Sequence, residues 1–156
     1  MHQLKYRGWQ NLATLMADRM ARVALPPDVR GEAGLVVPVP TTALRIRQRG
    51  YNQAEVLARA LVRRTHRTVF CALQRGAGTS SQTTLQPAAR LANVAGAFSL
   101  AAGTENDIAG EHLLLVDDVL TTGATVTACT AALVEAGARC VSVLTFARAV
   151  GRLRLN

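Results

Sequence analysis

The stretch Leu113-Leu114-Leu115-Val116-Asp117-Asp118-Val119-Leu120-Thr121-Thr122-Gly123-Ala124-Thr125 decides how this chain is read. Four apolar residues, Leu113 to Val116, predict a buried strand over 113–117 that ends in two acids. Asp118 to Thr122 is expected as a loop. Ala124 to Ala136 is expected as a helix with Val126, Cys129, Leu133 and Val134 inward, closed by Gly137. Val141 to Phe146 reads as another strand, so 113–146 has the order of a βαβ crossover.

Ligands of open α/β sheets bind at the carboxyl ends of the strands. Two adjacent carboxylates there are costly to bury unless vicinal hydroxyls or a metal pair with them. The small polar turn that follows can aim its backbone N–H groups at an anion, at the start of a helix whose dipole favours negative charge. Gly123 lets the backbone approach closely, and Thr121, Thr122 and Thr125 add hydroxyls. Hydroxyl-binding acids beside a phosphate cradle describe a site for a 5-phosphorylated sugar. An Asp-Asp turn followed by a Thr cap is the plainer alternative, but it leaves the number of threonines unexplained. No Lys follows the glycine, so the turn is not a Walker A loop.

Outward from this stretch, Leu35-Val36-Val37-Pro38-Val39 predicts a buried strand ending near Pro38 or Pro40. Thr41 to Gly50 is expected as a polar basic loop. Gln53 to Arg64 is expected as a helix buried through Ala54, Leu57, Ala58, Leu61 and Val62. Val69 to Leu73 and Ala97 to Leu100 are expected strands. Between them, residues 76–95 lack a clear period, as expected of a long flexible loop. Near the start, Leu12, Leu15, Met16, Met20 and Val23 fall at helical spacing over 11–23, a helix stopped by Pro26-Pro27 and offering a contact for a homodimer. Strands alternating with helices predict an α/β fold with a mainly parallel central sheet flanked by helices.

The length, 156 residues, fits a single domain over 1–156. Apolar residues form 49% of the chain and charged residues 18%, which excludes wholesale disorder. Aromatics are 4%, too few for a base-stacking platform. Cys71, Cys129 and Cys140 are scattered and odd in number, which argues against a disulfide framework and against a cysteine zinc site. A reducing, cytoplasmic compartment is expected. No stretch is apolar enough to span a bilayer, and Met1 to Trp9 has no signal-peptide core. His2, His66 and His112 lack metal-like spacing and read as surface residues.

The net charge is +8, and residues 44–75 alone carry eight arginines against Glu55. Such an excess attracts phosphate, on a small ligand or on a polynucleotide. Arg45, Arg47 and Arg49 lie just after a strand end, where a small ligand would sit. Arg59, Arg63, Arg64 and Arg67 lie further along a helix and are candidate contacts for single-stranded DNA, although a solvated helix face is the plainer reading.

The segment Leu113 to Thr125 resembles the phosphoribosyl-pyrophosphate (PRPP) signature of type I phosphoribosyltransferases. Lys5-Tyr6-Arg7-Gly8, Val37-Pro38-Val39-Pro40 and Arg47-Gln48-Arg49-Gly50-Tyr51-Asn52-Gln53 resemble the ComF family of competence-associated proteins. So do Gln82, Leu85, Arg90, Asn93 and Gly96-Ala97-Phe98. The resemblance covers residues 4 to 148. It implies a type I phosphoribosyltransferase-like fold and pentosyl transfer from PRPP, with Mg²⁺ as cofactor. It implies that Asp117 and Asp118 hold the ribose hydroxyls and that Thr121, Thr122, Gly123, Ala124 and Thr125 bind the 5-phosphate. Pro38, Val39, Pro40, Thr41 and Thr42 would form the pyrophosphate loop beside Arg45, Arg47 and Arg49, and residues 76–95 a mobile loop closing over the ligand, with Arg90 a candidate catalytic contact to the pyrophosphate. Mg²⁺ would be held through PRPP and not by the protein alone, with Asp117 and Asp118 as candidate contacts. A role in DNA uptake beside a competence helicase is also implied, with PRPP a regulatory ligand if the chain is a DNA-binding module instead. ComF proteins usually begin with a four-cysteine zinc module, and this chain is expected to lack it.

Overall fold

A computed structural model of the chain describes residues 2–76 and 96–149. The helices are α1 (His2–Met20), α2 (Pro27–Glu32), α3 (Ala43–Arg49), α4 (Gln53–Val62), α5 (Glu105–Ile108) and α6 (Ala124–Glu135). The strands are β1 (Leu35–Pro38), β2 (Thr68–Val69), β3 (Leu73–Arg75), β4 (Phe98–Leu100), β5 (His112–Leu120) and β6 (Cys140–Arg148). Four strands form one sheet in the order β2-β1-β5-β6, and every neighbouring pair is parallel. A separate antiparallel pair joins β3 to β4, with Arg75 opposite Phe98.

Alternation along β5 sends Leu114 and Val116 to one face and Leu113 and Leu115 to the other. The first face packs on Ala13, Met16, Ala17 and Met20 of α1 and on Leu57, Ala58 and Leu61 of α4. The second packs on Cys129 and Leu133 of α6, with Val37, Leu73 and Phe98. Burial on both faces is why the strand reads as a continuous apolar run. α1 buries a different stripe from the expected one. Leu12, Leu15 and Val23 are exposed, because the small Ala13 and Ala17 let this helix lie close to the sheet and α4. On α6, Val134 is likewise exposed. Gly137 does end this helix at a φ of 100°, and the following amide of Ala138 donates to Leu133 O at 3.0 Å.

Four local expectations need correction. Thr41 to Gly50 is not a loop: Thr42 Oγ1 accepts from Arg45 N at 3.2 Å and caps α3, which Gly50 ends in the left-handed region. None of its residues is buried, so no apolar stripe announced it. Asp118 to Leu120 is not a loop either, because β6 runs on to Arg148 and pairs Val119 with Ala147 and Leu120 with Arg148. Val69 to Leu73 divides between β2 and β3, in different sheets. His112 is buried, with its Nε2 2.9 Å from Ser142 Oγ and its Nδ1 3.7 Å from Glu32. The hydrogen bond and the carboxylate make burial of that ring tolerable. His66 is exposed, and the side chain of His2 lies outside the described residues. The long loop over 77–95, with Arg90, also lies outside them. Among the described residues no helix is long and apolar enough to cross a membrane.

The chain goes from β1 to β2 on one side, then returns to place β5 on the other side of β1. Strand order therefore reverses between β1 and β5. The crevice beyond their carboxyl ends is where such sheets bind ligands.

Candidate functional site at the β1–β5 switch point

A cavity of about 290 Å³ opens at that crevice. One wall is the end of β5, with Asp117 and Asp118, followed by Thr121 and Thr125. The opposite wall is Val39, Pro40 and Thr41 after β1, with Arg45 and Arg49 of α3. The fold thus brings the paired acids and part of the basic segment, Arg45 and Arg49 among it, to one place. Arg49 Nη1 donates to Gln53 Oε1 at 2.5 Å, which ties α3 to the first turn of α4.

The acids are positioned by the backbone that follows each of them. Asp117 Oδ1 accepts from Asp118 N at 2.9 Å, and Asp118 Oδ1 accepts from Val119 N at 2.8 Å. Alternation places Asp117 on the α6 face and Asp118 on the α4 face, and both still line the cavity. Burial pushes Asp117 up to about 7, with the neighbouring Asp118 charge adding to the rise and the Asp118 amide opposing it. Behind it, burial drives the Cys129 thiol up to about 12, and the Asp117 charge contributes. Cys129 is fully buried and does not line the cavity.

The turn after β5 suits an anion. Among the described residues no hydrogen bond occupies the amides of Thr121, Thr122 or Gly123, and Ala124 N reaches Thr122 Oγ1 only at 3.4 Å. Gly123 stands at the N-cap of α6 with φ 83°, a conformation that disfavours any side chain.

Other expected site residues lie elsewhere. Pro38 sits in β1 and faces a neighbouring cavity of about 280 Å³. Thr42 has its hydroxyl engaged in the α3 cap. Arg47, Thr122, Gly123 and Ala124 do not line the main cavity. Arg59 pairs with Glu55 at 2.7 Å, and Arg64 pairs with Asp18 and bonds Ala60 O. Arg67 donates to Ala33 O at 2.8 Å and to Val29 O at 3.1 Å, which ties β2 to α2. Arg63 is exposed. None of these four reaches the cavity.

Sequence reasoning gave no site role to Asn52 or Arg75, and both line the cavity. Asn52 caps α4 by accepting from Ala54 N at 3.2 Å, and its Nδ2 donates to Val39 O at 3.0 Å. An Asn immediately before a helical stripe was the available signal. Asn52→Ala should cost about 0.5–2 kcal/mol, read as a lower denaturant midpoint with an unchanged slope. Arg75 carried only the general signal of the basic segment 44–75, since β3 is three residues long.

No three His, Cys, Asp or Glu residues cluster for a metal among the described residues. Asp117 and Asp118 offer hard oxygens, but too few for a protein-only cage. That donor set fits Mg²⁺ completed by a ligand's phosphate and hydroxyl oxygens.

The phosphoribosyl transferase domain family matches residues 12–154. The chain is 33% identical over 149 residues to the DNA utilization protein YhgH of Escherichia coli O6:H1, covering 92% of this chain and 63% of that protein. It is 35% identical over 139 residues to Competence protein F of Haemophilus influenzae, covering 88% and 57%. It thus spans less than two thirds of the length of either relative. The solved glutamine PRPP amidotransferase of B. subtilis superposes with a TM-score of 0.54 at 21% identity, over 88% of this chain and 26% of that one. A hypoxanthine-guanine phosphoribosyltransferase of Bacillus anthracis gives 0.51 at 15% identity, over 95% and 73%. These two likenesses concern the fold, which is that of type I phosphoribosyltransferases. The chain belongs to the phosphoribosyl transferase domain family.

Proposed function

We propose that the chain binds PRPP with Mg²⁺ in the β1–β5 cavity and supports transfer of the 5-phosphoribosyl group to an acceptor. The observation that carries this reading is the convergence of Asp117 and Asp118 with Thr121, Thr125, Thr41, Arg45 and Arg49 on one cavity. Asp117 and Asp118 accept hydrogen bonds from the two ribose hydroxyls through the oxygens not used by the backbone. The amides of the turn at Thr121, Thr122 and Gly123 hold the 5-phosphate, with the dipole of α6 behind them. Thr41, Arg45 and Arg49 face the pyrophosphate. The C1–O bond to pyrophosphate breaks as the acceptor bonds to C1, and the arginines stabilise the charge that collects on the leaving group. Mg²⁺, when bound, neutralises part of that charge. Calorimetric titration with PRPP and Mg²⁺ tests the reading: saturable binding supports it, and no binding overturns it. Release of pyrophosphate on addition of an acceptor base separates transfer from binding alone.

A second reading, contact with single-stranded DNA, has one observation in its favour. A groove of about 340 Å³ between α1 and α4 is lined by Gln10, Asn11, Thr14, Arg59 and Arg63. Similarity to proteins named for DNA utilization and competence is consistent with it. Arg63→Ala should then weaken oligonucleotide binding across all sequences. It should also lower the slope of log affinity against log salt by about one. An unchanged slope removes the groove from consideration.

A further inference from the structure

The amino ends of β1 and β2 lie at the end of the sheet opposite to Asp117 and Asp118, and a cavity of about 420 Å³ opens there. It lies between the end of α2 and the turn that follows α4. Arg30, Glu32 and Gly34 line one wall, and Thr65, His66 and Arg67 line the other. No residue is shared with the β1–β5 cavity. The four residues of β1 separate the two by roughly 13 Å.

The charge of this cavity is one-sided. Among the described residues no carboxylate pairs with Arg30, His66 or Arg67. Glu32 is the acid in the lining, and its Oε2 already accepts from Arg139 and faces His112 Nδ1 at 3.7 Å. The closing carbonyls of a helix ordinarily repel an anion. Here Arg67 covers them: its Nε donates to Ala33 O at 2.8 Å and its Nη2 to Val29 O at 3.1 Å. Among the described residues its Nη1 keeps no partner. A guanidinium fixed on two carbonyls has less freedom left to lose when a ligand arrives. Arg30 and His66 are exposed and add one further donor group from each wall. At Gly34 a Cβ would meet nothing within 4 Å, so the space between the walls is open.

We propose that this cavity binds the phosphate of a small phosphomonoester, held by Arg30 and His66 over the fixed guanidinium of Arg67, at a site separate from the β1–β5 cavity. Guanidinium groups offer donors and no acceptors, which suits phosphate oxygens. Glu32 Oε1 has no partner among the described residues and can accept from a hydroxyl on the same ligand. A sugar phosphate or a nucleotide carries both groups. No Phe, Tyr or Trp lines either wall, so the cavity lacks the stacking surface that single-stranded nucleic acid uses.

The test is a titration of the isotope-labelled full chain, followed by the NMR shifts of its backbone amides at constant ionic strength. The probes are inorganic phosphate and adenosine monophosphate, with sodium chloride and adenosine as controls. Both phosphates should give saturable shifts at Gly31, Gly34, Thr65 and His66, and adenosine should give none. Arg30→Gln should raise the dissociation constant read at these amides at least tenfold, and His66→Gln severalfold. Arg30→Lys should lose less than Arg30→Gln, because it returns a point charge without the fork. Both side chains are exposed, so these variants keep the fold. The amides of Thr121 to Gly123 report on the β1–β5 cavity in the same spectra, and their dissociation constant should not change in the variants. Shifts that never saturate, that chloride reproduces, or that stay confined to Thr121–Gly123 overturn the proposal. So does a larger response to an oligodeoxynucleotide without a terminal phosphate than to adenosine monophosphate, which would make the cavity a nucleic-acid surface. Failure of PRPP to bind at the turn after β5 counts against that reading alone.

Discussion

Replacing Asp117 and Asp118 together by asparagine should abolish PRPP binding while making the unliganded protein more stable above neutral pH. Hydrogen bonds to charged groups contribute about 1.5–3 kcal/mol each. Two ribose hydroxyls that lose charged acceptors should therefore cost on the order of a hundredfold or more in affinity. The stability effect has the opposite sign. Asp117 is pushed up to about 7, chiefly by burial, from an ordinary 3.8. The folded chain thus binds a proton that the unfolded chain has released between those values. The resulting stabilisation is fully present below the ordinary value and is lost as pH rises through about 7. The melting temperature of the unliganded protein should fall between pH 5 and pH 8, and Asp117→Asn should flatten that fall. PRPP affinity should rise over the same interval, since the ribose hydroxyls favour the ionised carboxylate. Melting curves and titrations at both pH values check this. A double variant that still binds PRPP at full affinity would falsify the assignment of the site.

Leu115→Ala should destabilise the fold more than any surface change. Leu115 is fully buried on the α6 face of β5, among Cys129 and Leu133, two residues before Asp117 on the same face. Truncating a buried leucine costs about 2–5 kcal/mol, which for a domain of this size lowers the melting temperature by roughly 5–15 °C. The exposed Val143 of β6 is the control, and Val143→Ala should stay within about 0.5 kcal/mol of the unaltered chain. PRPP affinity should also weaken in Leu115→Ala, because the layer beneath Asp117 can then collapse towards the cavity left behind. Chemical denaturation of both variants measures the difference. Equal midpoints would mean that the layer beneath the acids does not bear on stability.

Legibility varied along the chain for physical reasons. β5 was readable because burial on both faces demands unbroken apolar residues. α4 was readable because its stripe meets the sheet directly. α3 was invisible to periodicity because it buries nothing, and only Thr42 and Gly50 mark its ends. Small residues misled the reading of α1, where Ala13 and Ala17 lie inside while Leu12 and Leu15 do not. The extent of β5 beyond its acids depended on how far β6 runs, which local sequence does not encode. His112 looked like a surface residue because its partners, Ser142 and Glu32, are distant in sequence.

The acids and the threonine-rich turn could be picked out from their own residue types, since strand, turn and helix start are contiguous there. The PRPP-signature likeness followed from that same segment, and the ComF likeness from short motifs spread between Lys5 and Phe98. The opposite wall was a matter of tertiary structure. Only the crossing of β5 to the far side of β1 brings Thr41, Arg45 and Arg49 across from Asp117 and Asp118. Only the β3–β4 pairing sets Arg75 on Phe98 at the cavity edge. Local residue types specify the chemistry of each segment. Strand order specifies which segments face one another, because that depends on contacts between residues far apart in the chain.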